Sequence, residues 1–301
     1  VGSASMGNIL TKQFYRQRKD FEDSCAGRDA GLTFPEGVRC STDIAYADDG
    51  IKAHVLDIYR PEDSQEKILP VIINVHGGGL IIGNKEFNRY FCALLCKKGF
   101  LVYSIEYRLI PDCLIYDQIS DVFMAMDYIK ERLAADGGDS SHVYMAGDSG
   151  GACLITYVNA IQNSTNIARA ANVTPSGLRI NALGLISGMF YTSRFDKIGL
   201  FLPKYLYGRD YKKTPFAKYV NPENRELLNS LAPVWLVTSH NDFLRRYTTD
   251  FEKALTRAER EHELVVFPKN KKLTHAFSVF EPFMPESGAV IDMMVEYLRK
   301  F

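Results

Sequence analysis

Buried-strand and amphipathic-helix patterns alternate along most of this chain. Apolar runs over 69–75, 100–105, 143–146, 180–186, 233–239 and 263–267 have the length and content of buried strands. Between them apolar residues recur at helical spacing: Phe87, Tyr90, Phe91, Leu94 and Leu95 before Gly99, then Ile119, Val122, Phe123, Met126, Ile129 and Leu133 before Gly137. Phe251, Ala254, Leu255 and Ala258 continue the pattern, and Val290, Ile291, Met294, Tyr297 and Leu298 mark a last helix over 287–300. Parallel neighbours need a helix-sized crossover, so this alternation predicts an α/β fold with a mainly parallel central sheet and helices on both faces. Near the start, 38–46 and 51–59 flank Asp48-Asp49-Gly50, which predicts an antiparallel hairpin at the sheet edge.

Two stretches break the rhythm. Residues 8–27 read as an amphipathic arm with Ile9, Leu10, Phe14, Tyr15 and Phe21 at roughly helical intervals. Residues 187–231 carry Phe190, Tyr191, Phe195, Phe201, Tyr205, Tyr207, Tyr211, Phe216 and Tyr219 without a clean period. The second stretch is too long for a simple connection, so a helical insertion folding over a site is expected there.

The strand ending at Ala146 must reverse into the helix starting at Ala152 within Gly147-Asp148-Ser149-Gly150-Gly151. A serine at such an apex needs small residues two positions to either side, here Gly147 and Gly151, and its hydroxyl projects at a helix N-terminus that favours developing negative charge. Serine is a poor nucleophile at neutral pH, so the elbow predicts a histidine base and an orienting acid on loops at the same strand ends, in the order serine, acid, histidine. His275 follows the strand ending at Phe267 and precedes the last helix. Asp242 follows the strand ending at Ser239, and the next acid, Asp250, falls inside a predicted helix. His54, His142 and His262 lie in or beside strands away from these loops and read as structural. An oxyanion needs backbone donors, and His76-Gly77-Gly78-Gly79 after a buried strand offers them, with the Gly150 N–H as a third.

Composition narrows the function. With 36 basic and 36 acidic side chains in 301 residues the formal charge is zero, and there is no run of five like charges, so nucleic acid is not an expected partner. The densest basic cluster, 269–272, reads as a solvated loop. Six scattered cysteines at 25, 40, 92, 96, 113 and 153 show neither metal spacing nor a disulfide framework, so no metal or cofactor is expected and a reducing cytoplasm is. There is no apolar run long enough for a membrane span and no signal peptide. Residues 1–5, before Met6, resemble an expression remnant.

His76-Gly77-Gly78-Gly79, Tyr107-Arg108-Leu109-Ile110-Pro111-Asp112, Gly147-Asp148-Ser149-Gly150-Gly151, Asp242-Phe243-Leu244 and Thr274-His275-Ala276-Phe277, in this order, resemble the hormone-sensitive-lipase-like carboxylesterases of the α/β-hydrolase superfamily. The resemblance runs from about residue 38 to the C-terminus. It implies one domain over 1–301, with Ser149 as nucleophile, His275 as base and Asp242 as its partner. It also implies an oxyanion hole from Gly78, Gly79 and Gly150, supported by His76, Gly77 and Asp148, with Tyr107 and Arg108 as structural braces. A cap from about 8–37 and 188–231 would shape the pocket. Three departures stand out: Arg246 replaces a second carboxylate after Asp242, Gly150 a frequent alanine, and Leu80 an aromatic residue.

These features lead to the expectation of a serine carboxylesterase acting on short to medium acyl esters through an acyl-enzyme. Its partner would be a small-molecule ester, a homodimer is compatible with the sequence, and a capped site is expected to be indifferent to emulsion interfaces. The competing readings are a peptidase or amidase on the same fold, an acyltransferase, and a small-molecule receptor that lost catalysis.

Overall fold

The computed structural model describes residues 2–64 and 66–301. Of the expected terminal remnant, Val1 lies outside the described residues, while the backbone from Gly2 is continuous with the first helix, α1 (Gly2–Asp29). Then follow β1 (Val38–Ala45), β2 (Val55–Pro61), β3 (Leu69–Val75), α2 (Arg89–Lys97), β4 (Leu101–Ile105), α3 (Ile115–Arg132), β5 (Gly138–Asp148), α4 (Gly150–Asn163), α5 (Thr165–Ala171) and β6 (Ala182–Ile186). Three short helices, α6 (Lys197–Phe201), α7 (Pro203–Tyr207) and α8 (Arg225–Asn229), precede β7 (Val234–Ser239), α9 (Arg245–Arg257), β8 (His262–Phe267), α10 (Phe277–Phe280) and α11 (Pro285–Leu298).

Among the described residues eight strands form one sheet in the order β1-β2-β4-β3-β5-β6-β7-β8. Only β2 runs against the others: it pairs antiparallel with β1 and β4, and every later pair is parallel. Strand alternation explains how one sheet serves two cores. Val71, Ile73 and Val75 of β3 enter a core with α3, α4 and α9, where Val122, Met126, Val158 and Phe251 are buried. Ile72 faces the other way, into a core with α2 and α11 that holds Phe91, Leu95, Ile291, Met294 and Leu298. Burial on both faces is why the central strands are uninterrupted apolar runs. The expected α/β architecture is therefore the observed one.

Local chemistry sets several helix ends. Gly99 and Gly137, at φ of 94° and 83°, take left-handed positions that side chains avoid, after α2 and α3. The Asp117 carboxylate accepts the Leu114 N–H at 2.9 Å at the start of α3, and Pro285 opens α11 where no N–H is needed.

The expected antiparallel pair at the sheet edge is found, as β1 with β2, but its connection is longer than a tight Asp-Gly hairpin. Residues 46–54 form a longer connection because Asp49 accepts both the Ile51 N–H (3.0 Å) and a contact from His54 Nδ1 (2.6 Å), while His54 Nε2 meets the buried Asp121 at 2.7 Å. The second strand consequently begins at Val55 rather than at 51. The helix α5 also goes beyond expectation; Ser164 caps it by accepting the Ile167 N–H at 3.3 Å.

α1 lies across the C-terminal ends of the parallel strands. Arg18 donates to the carbonyls of Ile81 (2.7 Å) and Ile110 (2.6 Å) and pairs with Asp112 at 2.9 Å. Arg28 donates to Phe87 and Val279 carbonyls, and Phe14 packs edge-on against Tyr205 of α7 with ring centroids 5.3 Å apart. Helix α1 and the 188–231 segment thus meet over one end of the sheet.

Candidate active site

Ser149 sits at the turn between β5 and α4 with φ 49° and ψ −117°, a conformation that costs an ordinary residue free energy and persists because its surroundings fix it. A side-chain carbon on Gly147 would lie 2.6 Å from the Val75 carbonyl, so the strand can approach β3 only as glycine. The Ser149 N–H donates to Ile186 at 2.9 Å and its carbonyl accepts from Met189 at 3.0 Å. The hydroxyl lies at the start of the 14-residue α4, on the positive end of its dipole.

The structure brings Ser149, His275 and Asp242 into one line. His275 Nε2 is 2.9 Å from Ser149 Oγ, and Nδ1 is 2.7 Å from Asp242 Oδ1. This arrangement fits a neutral imidazole whose Nδ1–H donates to the carboxylate and whose Nε2 accepts from the serine. Asp242 is buried, which by itself favours its neutral form. Hydrogen bonds and charge from His275, with further bonds from Ser187 and the Leu244 N–H, outweigh burial and lower its pKa. Its second oxygen accepts from Thr238 Oγ1 at 2.8 Å. Ser187 also accepts the Ala276 N–H at 3.1 Å, bracing the histidine loop. Asp250, the other acid in this region, pairs with Arg194 at 2.8 Å instead.

The glycine loop after β3 faces the serine. Gly78 and Gly79 have φ of 119° and 62°, values that keep their amides available where other residues would be strained. The Gly77 N–H donates to Asp148 Oδ1 (3.1 Å), which also accepts from Asn88 Nδ2 (3.0 Å), tying the loop to the elbow. Burial pushes the Asp148 carboxyl up, against the opposing pull of Asn88 and His76. His76 is buried beneath the loop, stacked on Tyr107 at 4.4 Å, with Nδ1 at 2.8 Å from the Gly77 carbonyl and Nε2 at 2.7 Å from Glu106. Burial disfavours its charge, but the Glu106 carboxylate and the Gly77 carbonyl outweigh that and raise its pKa. Tyr107 donates to the His76 carbonyl at 2.7 Å, and Arg108 pairs with Asp121 at 2.8 Å.

A cavity of about 600 Å³ opens onto Ser149, His275 and Gly77 to Gly79. Its walls are largely apolar: Phe14 and Phe21 from α1, Ile198 and Phe201 from α6, Phe243 from the loop after β7 and Phe280 from α10. Phe21, Phe87 and Phe280 form one aromatic wall, with Phe87 centroids 4.8 Å and 4.7 Å from the other two. Among the described residues no cluster of three or more histidine, cysteine or acidic side chains is arranged to hold a metal, and no helix is long and apolar enough to cross a membrane. Cys153, one turn into α4, is buried, and its thiol is pushed up to about 12.

Glu106, Asn88, Ser187 and Thr238 are site residues that motif reasoning passed over. Two of them, Glu106 and Ser187, share one signal: each is the first residue beyond a buried strand, and Thr238 is the next-to-last residue of β7, at the strand ends where parallel sheets place their chemistry.

The profile of a family described as alpha/beta hydrolase fold matches residues 72–278. Among curated relatives, a probable isoprenylcysteine alpha-carbonyl methylesterase from Oryza sativa subsp. japonica is 29% identical over 184 residues, covering 58% of this chain and 44% of that protein. A tuliposide A-converting enzyme from Tulipa gesneriana is 30% identical over 131 residues, 39% of this chain and 35% of that protein. The chain spans less than half the length of these relatives. Esterase B from Lactobacillus rhamnosis superposes with a TM-score of 0.91 at 23% identity, covering 99% of this chain and 96% of that one. An esterase from Pyrobaculum calidifontis gives 0.70 at 20% identity over 95% and 92%.

Proposed function

Since this chain belongs to the α/β-hydrolase fold family, we propose that it is a serine carboxylesterase acting on short to medium acyl esters. The observation that carries this reading is the line from Asp242 through His275 to Ser149, with spacings of 2.7 and 2.9 Å, at the floor of an apolar cavity. Relatives named as esterases support the class. The cavity volume, within the usual range for small-molecule sites, supports the size of substrate.

In this mechanism Ser149 Oγ attacks the ester carbonyl carbon while its proton passes to His275 Nε2. Asp242 holds the imidazole in the required tautomer and stabilises the imidazolium. Charge on the carbonyl oxygen meets the amides of Gly78, Gly79 and Gly150, each good donor contributing about 3 kcal/mol to the transition state. The imidazolium returns the proton to the departing alkoxide, leaving an acyl-serine and an alcohol. Water then attacks the acyl carbon while His275 takes its proton, and the imidazolium returns that proton to Ser149 Oγ as the bond to the acyl carbon breaks and the acid leaves. Helix α1 and the 188–231 segment act as the cap, so that one folded unit supplies both chemistry and pocket.

Hydrolysis of p-nitrophenyl esters from acetate to decanoate tests the substrate range. The expected result is saturable turnover with a maximum among the short and medium chains and a decline by decanoate. A flat or rising series to decanoate would contradict it.

A further inference from the structure

Large apolar side chains stand exposed near the cavity, beside the exposed polar Gln17 and Lys197 that also line it. Phe195 is 94% exposed, Phe243 75%, Leu200 56% and Phe201 53%. A single exposed apolar residue needs no explanation, but Phe201 and Phe243 also line the Ser149 cavity, so exposed apolar surface reaches its opening, and Phe195 and Leu200 lie on the same short segment as Phe201.

Cations flank this segment. Between Phe195 and Lys213 the chain has Lys197, Lys204, Arg209, Lys212 and Lys213 but only two carboxylates, in a protein whose overall formal charge is zero. Asp196 is turned inward, accepting the Gly199 N–H at 2.9 Å and the Tyr247 hydroxyl. Asp210 is exposed and reaches Lys213 only at 3.8 Å. Lys204, Arg209, Lys212 and Lys213 share a surface cleft of about 420 Å³ with Leu200 and the single carboxylate of Asp210. Helix α6 therefore turns Ile198 and Phe201 toward the cavity and Leu200 toward a basic surface.

We propose that this rim docks on an anionic lipid surface, with the aromatic side chains at headgroup depth and the lysines on anionic headgroups. The chemistry is complementary: aromatic rings partition into the interface, long basic side chains reach its charges, and each added cation strengthens binding by up to about fivefold. A second copy of the chain is a poorer occupant, because a two-fold interface would set this cationic surface against itself. If the esterase reading holds, docking would place the mouth against esters dissolved in the lipid layer, in place of the indifference to interfaces expected of a capped site.

The test is cosedimentation of the full chain with vesicles of phosphatidylcholine, and of phosphatidylcholine with one-quarter phosphatidylglycerol. It compares wild type, Phe195→Ser/Leu200→Ser and Lys204→Glu/Lys212→Glu, none of which alters a residue lining the Ser149 cavity. Circular dichroism and melting temperature establish that the variants fold. Expected are binding to the phosphatidylglycerol vesicles that weakens with salt and at least about a tenfold loss in each variant. The idea is overturned by absence of binding, by equal binding to both vesicles, or by concentration-dependent dimerisation lost in Phe195→Ser/Leu200→Ser without vesicle binding, which would assign the surface to a second copy. Sedimentation needs no turnover, so a protein that binds vesicles but hydrolyses no ester would fail the esterase reading alone.

Discussion

A side-chain carbon placed on Gly150 would lie 3.0 Å from the amide nitrogen of Gly79 and 2.8 Å from that of Leu80. The loop after β3 is therefore seated directly on the first residue of α4, and the departure from alanine at this position is a fitted one. Gly150→Ala is expected to push the loop back by a few tenths of an ångström. Misplaced donors weaken transition-state binding more than ground-state binding, so kcat should fall by about tenfold with KM little changed. Steady-state kinetics with a melting curve check this; an unaltered kcat would mean that the loop yields freely.

The pairing of His76 with Glu106 makes a pH prediction. The folded-state pKa of His76 is raised above its ordinary 6.5, so its contribution to stability is complete below that value and is lost as pH rises through the folded pKa. Melting temperature should decline over that window in the wild type. In Glu106→Gln the main cause of the rise is gone, burial dominates, and the decline should disappear from that window. Equal slopes in the two proteins would show that Glu106 does not hold the charge.

Asp242→Asn retains the shape of the side chain but lets His275 settle in the wrong tautomer. The expected loss in kcat/KM is about 10³- to 10⁴-fold, with the fold intact because Leu244 N–H still finds an oxygen. A loss below tenfold would remove Asp242 from the proposed role.

Arg18 joins α1 to two adjacent backbone segments beside the site through the Ile81 and Ile110 carbonyls. Arg18→Ala leaves both carbonyls without that partner, at a cost of about 1–3 kcal/mol. It should also free the wall that carries Phe14 and Phe21. The outcome expected is a raised KM for the longer esters, faster proteolysis within α1 and a lower melting temperature. Unchanged KM across the ester series would show that α1 is a surface attachment and not part of the pocket.

The alternation of buried runs with helical periods made the sheet and its two helical layers legible, since burial on both faces leaves an uninterrupted apolar signature. Ser149, Asp242 and His275 stood out because each follows a strand in the order the chemistry requires, and the structure brings them together. The connection over 46–54 was not legible, because its course depends on His54 reaching Asp121, a residue on α3. Glu106, Ser187 and Thr238 were also missed. The partners of Glu106 and Ser187, His76 and Ala276, are distant in the chain, and Thr238 serves Asp242 by a short-range contact that no motif marks. The short helices α6, α7 and α8 lack the length for a period to show.

The central claim is that Ser149 is a nucleophile activated by His275, and covalent capture tests it most directly. Intact-mass spectrometry after treatment with a p-nitrophenyl phosphonate ester should show one adduct per chain, mapped to the peptide containing Ser149, formed far more slowly in His275→Ala and absent in Ser149→Ala. An adduct of equal rate and yield in Ser149→Ala, or none in the wild type, would contradict the account.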